Sequence, residues 1–178
     1  MDISDFFEEL REERSIDAVK KAHPELTDEE INKFFDEAIS LLSKNGVAEL
    51  YVDGASSSNP GNAGIGVVLK VDDRVVENVS KPIGIATNNV AEYTALIEGL
   101  KIALDKGYKR VKVYSDSELV VKQLKGIYRV KDEGLSKLYK HVKELEKRFE
   151  KIEIVHINRE NNKQADRLAK NAAKLKII

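Results

Sequence analysis

Four acids carry the chemistry this sequence can offer. Asp53 closes the apolar run LYVD, Glu92 stands in the opening turn of a helical stretch, Asp116 follows RVKVYS directly, and Asp166 lies in the last helical stretch. Each has an ordinary explanation. Asp53 could bond the backbone of residues 54–56 as an Asx-turn. Asn89-x-x-Glu92 and Ser115-Asp116-Ser117-Glu118 approximate capping boxes, and a first-turn Glu is favoured by the helix dipole. Asp166 stands at helical spacing from Lys163 and Lys170. The joint placement says more, because two acids follow strands, two open helices, and a sheet with parallel crossovers brings such ends to one edge. Gathered carboxylates raise one another's pKa unless cations neutralise them. A pair of Mg²⁺ ions about 3.5–4 Å apart does this and serves phosphoryl transfer.

The elements that must position these acids are centred on Leu50–Leu69, LYVDGASSSNPGNAGIGVVL, which reads as strand, tight loop, strand around Asn59-Pro60-Gly61. Strands are predicted at Glu49–Val52, Gly64–Val71 and Arg74–Pro82, with Asp72-Asp73 as a hairpin turn. A helix over Asn89–Leu104, a strand over Arg110–Ser115 and a short helix over Ser117–Leu124 come next. A basic irregular stretch, Lys125–Gly134, leads to a helix over Leu135–Phe149, a strand over Ile152–His156 and a last helix over Asn162–Lys174. The order βββαβααβα implies an α/β fold: a mixed five-stranded sheet, first three strands antiparallel, flanked by helices.

Residues 1–46 read as a separate small all-α module ahead of a main domain at 47–178. Ile3, Phe6, Phe7 and Leu10 recur at helical spacing, Pro24 ends a second run, and Thr27-Asp28-Glu29-Glu30 is a capping box for a helix with Ile31, Phe34, Phe35, Ala38, Ile39 and Leu42 on one face. Asn45-Gly46 closes that helix. The four Phe residues are expected in its core. The turn at residues 23–26 has a slight helix-turn-helix look, but the following helix, DEEINKFFDEA, is acidic, which argues against a phosphate partner.

Charge separates the two parts. Residues 1–45 hold 6 Lys+Arg against 13 Asp+Glu, and the remainder holds 24 against 18, for a net charge of −1 overall. The acidic and basic parts are expected to do different jobs. With no Cys a thiolate nucleophile is excluded, and three His argue against a His-rich zinc site, leaving carboxylate-held hard cations. The absence of Cys and of a leader-like start leads to an expected cytoplasmic location, and no apolar run is long enough to span a membrane.

At these same residues the chain resembles type 1 ribonuclease H. The matching pieces are Tyr51–Gly66 (YVDGASSSNPGNAGIG), Ala86–Leu100 (ATNNVAEYTALIEGL), Val113–Gly126 (VYSDSELVVKQLKG) and Asn158–Lys170 (NRENNKQADRLAK), in the family's order. The resemblance implies a ribonuclease H-like fold and a hydrolase that cuts the RNA strand of RNA–DNA hybrids, leaving 5′-phosphate and 3′-hydroxyl ends. It implies two Mg²⁺ or Mn²⁺ ions held by Asp53, Glu92, Asp116 and Asp166. Asp53 would bridge both ions, Glu92 and Asp116 would serve the one at the leaving oxygen, and Asp166 would serve the one that activates water. It also implies minor-groove contacts from Asn59, Asn88 and Asn89 and a DNA-phosphate contact at Thr87.

Two departures qualify it. Many relatives carry a His on the loop before the last acid; here His156 ends a strand and Arg159 stands nearer the expected place. Some relatives have a Trp-rich basic protrusion; here Lys122–Lys137 keeps Lys122, Lys125, Arg129 and Lys131 but is short and has no Trp. The expected partners are an RNA–DNA hybrid and a protein or intramolecular partner for the acidic module, with the chain acting as a monomer. The rivals are a nuclease of this fold acting on duplex RNA or DNA, and a non-catalytic nucleic-acid-binding module.

Overall fold

The computed structural model describes residues 1–175, apart from the side chains of residues 36, 37 and 39–45. The chain divides into two compact units, Met1–Ser43 and Lys44 onward. Among the described residues no helix is long and apolar enough to cross a membrane.

The first unit holds α1 (Ile3–Glu13), α2 (Ile16–Ala22) and the start of α3 (Asp28–Asn45). Local chemistry sets these boundaries. Asp2 and Asp5 form a reciprocal capping box on α1, and Arg14 ends it in the left-handed region. Ser15 caps α2, and Thr27 and Glu30 exchange the expected capping-box bonds at the start of α3. Phe6, Val19, Leu26 and Ile31 are buried, with Phe7, Phe34 and Phe35 packed against them. The Phe side chains thus form the core of this unit, as their spacing predicts. Ile39 and Leu42, expected on the same face, lie outside the described side chains.

The second unit is built on β1 (Val47–Ser56), β2 (Gly61–Val71), β3 (Arg74–Ala86), β4 (Arg110–Ser115) and β5 (Lys151–His156). Their order across the sheet is β3-β2-β1-β4-β5. The first three strands are antiparallel, and β4 and β5 lie parallel to β1. Asp72 and Asp73 both have positive φ, 49° and 61°, the geometry a two-residue hairpin requires. Between the strands run α4 (Asn88–Asp105), α5 (Glu118–Leu124) and α6 (Glu133–Glu146), and after β5 come a 3₁₀ turn (Arg159–Asn161) and α7 (Lys163–Lys174).

Leu50, Val52, Val67 and Leu69 belong to one buried cluster with Tyr93, Leu96 and Leu100 of α4. Their alternation along β1 and β2 puts them on one sheet face. α7 lies against β2 through small residues. A Cβ on Gly66 would come 2.1 Å from the Ala165 carbonyl oxygen, and one on Gly64 would come 2.4 Å from Ala173 N. The glycine-spaced run GNAGIG is therefore shaped by the helix that carries Asp166.

Several boundaries move. β1 does not stop at Val52; it pairs with β2 as far as Ser56, because the antiparallel partner continues where the parallel partner β4 has ended. β3 likewise runs on to Ala86, past Pro82, with a bulge absorbed near Gly64. Pro82 is tolerated because β3 is an outer strand, where a missing N–H is harmless. α6 begins two residues early, at Glu133, because Asp132 accepts from Leu135 N–H as its cap.

Candidate active site

Asp53 is not at an exposed strand end. It lies inside β1, 4% exposed, beside Gly66 of β2. No Asx-turn holds it, since the Gly54 N–H donates instead to Glu92 Oε2 at 3.2 Å. Gly54 explains how a helix residue reaches this strand. A Cβ there would come 2.2 Å from Glu92 N and from the Ala91 carbonyl carbon, so only glycine lets α4 press onto β1 at that level. Glu92 is 7% exposed as a result.

The cap explanations for the other acids fail in detail. The cap of α4 is Thr87, whose hydroxyl accepts from Val90 N–H, so Asn89 is inside the helix and Glu92 is not a capping-box partner. Asn59 Oδ1 accepts from Asn88 N–H at 3.1 Å, tying the β1–β2 loop to this same helix start. Ser115 and Glu118 form no capping box. Ser115 Oγ accepts from Ser117 N–H, and Glu118 pairs with Lys122 instead. Asp116, released from capping, is held from another direction: Asn162 Nδ2 donates to Asp116 Oδ1 at 2.7 Å and to the Val52 carbonyl at 2.9 Å.

Asn162 is the residue that the sequence reading missed. It is 1% exposed and joins the chain before α7 to β1 and to the residue after β4. Its position four residues before Asp166, in NRENNKQAD, was the available signal, but Asn at a helix start reads as an ordinary cap. Here it makes no cap bond.

Electrostatics bind the four acids into one group. Burial, followed by the charges of Asp116 and Asp166, pushes the Asp53 carboxyl up to about 8. Burial, then Asp53 and Asp116, holds Glu92 well above its ordinary value, against the pull of the Gly54 N–H and of Arg159. At Asp166, burial acts upward, but hydrogen bonds from Lys170 and Arg159 outweigh it and the net shift is downward. The pair expected from helical spacing forms with Lys170, at 2.7 Å, and Arg159 joins Asp166 from the 3₁₀ turn.

The expected metal cluster is not ready-made. Among the described residues, no three His, Asp or Glu side chains stand close enough together to hold an ion. Asp166 in particular is committed elsewhere, its two oxygens engaged by Arg159 and Lys170. The donor chemistry nevertheless fits a hard divalent cation. It is all oxygen, two of its acids are buried with raised pKa values, and Asn162 Oδ1 beside them is a buried acceptor with no partner.

A cleft of about 410 Å³ lined by Ser56, Ser57, Asn62, Lys170 and Lys174 lies between β1, β2 and α7. The basic stretch after α5 presents Ile127 and Tyr128 to solvent, with Lys122 Nζ 5.0 Å above the Tyr128 ring. His156 ends β5 opposite Ser115.

The family described as "Reverse transcriptase-like" matches residues 51–172. Ribonuclease HI of Halobacterium salinarum is 40% identical over 136 residues, covering 76% of this chain and 68% of that protein. The chain belongs to the ribonuclease HI family. Among solved structures, the N-terminal RNase H domain of Rv2228c from Mycobacterium tuberculosis has a TM-score of 0.69 at 40% identity, covering 71% of this chain and 98% of that one. The compost-derived LC11-RNase H1 in complex with an RNA/DNA hybrid gives 0.67 at 39% identity, covering 71% and 96%. The chain spans only 34% of the full-length bifunctional protein Rv2228c. Residues 1–50, which include all of the first unit, lie outside the matched family region.

Proposed function

We propose that this protein is a divalent-metal-dependent endonuclease that hydrolyses the RNA strand of RNA–DNA hybrids, leaving 5′-phosphate and 3′-hydroxyl ends. One observation carries the reading. Two buried carboxylates, Asp53 and Glu92, are forced together by the Gly54 close approach and coupled to Asp116 and Asp166, in a chain of the ribonuclease HI family. Such a group is costly to keep ionised and is stabilised by cations.

Asp53, Glu92, Asp116 and Asp166 are the residues that would hold Mg²⁺ or Mn²⁺. When bound, a pair of such ions stabilises charge on the phosphodiester oxygens and lowers the pKa of an attacking water. The chain's own groups then position the substrate. Asn59, Thr87, Asn88 and Asn89 converge where the β1–β2 loop meets the start of α4, and short amides there suit 2′-hydroxyls and base edges in a wide minor groove. The helix N-terminus beside Thr87 suits a backbone phosphate. Lys170 and Lys174, which line the cleft beside α7, suit contact with a nucleic-acid backbone. Residues 1–46 form a separate helical module whose acidic surface serves a protein or intramolecular contact.

The test is cleavage of an end-labelled panel with Mg²⁺ or Mn²⁺: RNA–DNA hybrid, duplex RNA, single-stranded RNA and duplex DNA, with Asp116→Asn alongside. Hybrid-only cleavage, reduced at least 100-fold by the substitution, is expected. Cleavage of duplex RNA or DNA in preference to hybrid refutes the substrate, and no cleavage at all refutes the enzyme.

A further inference from the structure

Arg159 makes a contact that the hydrolytic reading leaves unexplained. Its Nε and Nη2 both donate to the same oxygen of Asp166, Oδ1, at 3.0 and 2.6 Å. Lys170 Nζ takes the other oxygen at 2.7 Å. A carboxylate oxygen has two lone-pair directions. Oδ1 is therefore fully used by one guanidinium, while Oδ2 keeps one direction open. The Asp166 side chain is 15% exposed, so the pair is partly desolvated at its acid end, yet the Arg159 side chain is 66% exposed. Its far side is already in water, and it can swing away without crossing packed protein.

The reach of this charge is wider than one ion pair. Arg159 also lowers the pKa of Asp53 and of Glu92. It thus interacts with all four acids, as a divalent ion would, but from the outer rim and with one unit of charge. Its backbone is anchored next to Asn162, which is fixed to Val52 and Asp116. The guanidinium is consequently delivered to the acid group by the same short turn that fixes Asn162.

We propose that Arg159 is a built-in competitor for the cation at Asp166: it neutralises that carboxylate when no ion is there and must leave before Oδ1 can join an ion's coordination. Arg159 is a positioning residue in this account, acting through Asp166 on the second ion. The inference rests on the assignment of Asp166 as a metal ligand made above.

The experiment is Mn²⁺ binding to the full chain without substrate, followed by isothermal titration calorimetry and by the rise of Tm with Mn²⁺ concentration. Wild type, Arg159→Gln, Asp166→Asn and the double variant are compared. Arg159→Gln is expected to bind Mn²⁺ about threefold to tenfold more tightly, the range for releasing one partly exposed, two-donor ion pair. In the Asp166→Asn background the same change is expected to do nothing. A merely structural Arg159 would give the opposite sign, because a loosened turn weakens binding. Unchanged or weaker Mn²⁺ binding by Arg159→Gln overturns the proposal, as does equal tightening with and without Asp166. Asp53→Asn separates the two levels of failure. If it leaves Mn²⁺ binding intact, the carboxylate metal site itself is wrong; if it weakens binding while Arg159→Gln changes nothing, only the competitor is wrong.

Discussion

Replacing Asp53 with Asn isolates the strain that the acid group places on the metal-free fold. The carboxyl is held at about 8 against an ordinary 3.8. Between these values the folded chain binds a proton that the unfolded chain releases, so this residue's contribution to stability falls as pH rises from about 4 to 8. At pH 7 the gap in proton affinity corresponds to a ceiling of about 4 kcal/mol. Relaxation and water entry reduce such figures, and a gain of about 1–3 kcal/mol is expected when Asn removes the charge. For a folding unit of this size that is a rise of roughly 3–10 °C in Tm. The assay is thermal melting of wild type and Asp53→Asn in EDTA at pH 8, 6.5 and 5. The variant should melt higher at pH 8, and its advantage should shrink at each step down. Mg²⁺ should narrow the difference by stabilising wild type alone. An unchanged or lower Tm at pH 8, or an advantage independent of pH, refutes the reasoning.

Two further predictions follow from packing and from the helical unit. Gly66→Ala places a methyl group 2.1 Å from the Ala165 carbonyl oxygen; α7 must shift, at a cost of about 2–3 kcal/mol by urea unfolding, and hybrid cleavage should fall with it because Asp166 rides on that helix. A loss below 0.5 kcal/mol would mean that α7 is not seated as described. His23 lies between Glu25 and Glu9, at 3.1 and 2.8 Å, and the Glu25 hydrogen bond, with Glu9, raises its pKa. The charged ring therefore stabilises the first unit below its unfolded pKa, and that support is lost as pH rises through the folded value. His23→Gln should speed amide exchange in residues 3–31 at pH 5.5 more than it does at pH 8; equal effects at both would dismiss the ion pairs.

The sheet was legible because its signals are local. Alternation in RVKVYS, the Asp72-Asp73 turn and the apolar face of α4 each follow from neighbours a few residues apart. The strand ends were not legible, since β1 continues past Asp53 only because β2, across the turn, still offers it partners from Ile65 to Ala63. The acids themselves were readable as residue types but not as states. Whether Glu92 caps a helix or faces Asp53 depends on Gly54, whose missing side chain sets the distance between α4 and β1. The same holds for Asn162, which a sequence presents as one more cap and the fold uses as a clamp on Val52 and Asp116.

That contrast explains why four ordinary-looking acids become unusual together. Each local alternative was physically sound and was defeated by a better partner supplied from elsewhere: Thr87 took the cap of α4, Ser117 N–H took Ser115, and Gly54 N–H took Glu92. With its local uses filled, the group had nothing left to offset its mutual repulsion except burial-resistant cations. Two of those, Arg159 and Lys170, are already in place at Asp166. Asp53 and Glu92 meet no such side chain at hydrogen-bond distance among the described residues, and both hold their protons more tightly than ordinary carboxyls do. The uneven division of protons and cations among the four acids is therefore a consequence of topology: Asp166 is near the rim on α7, where long basic side chains reach it from solvent, and Asp53 is inside a strand, where they do not.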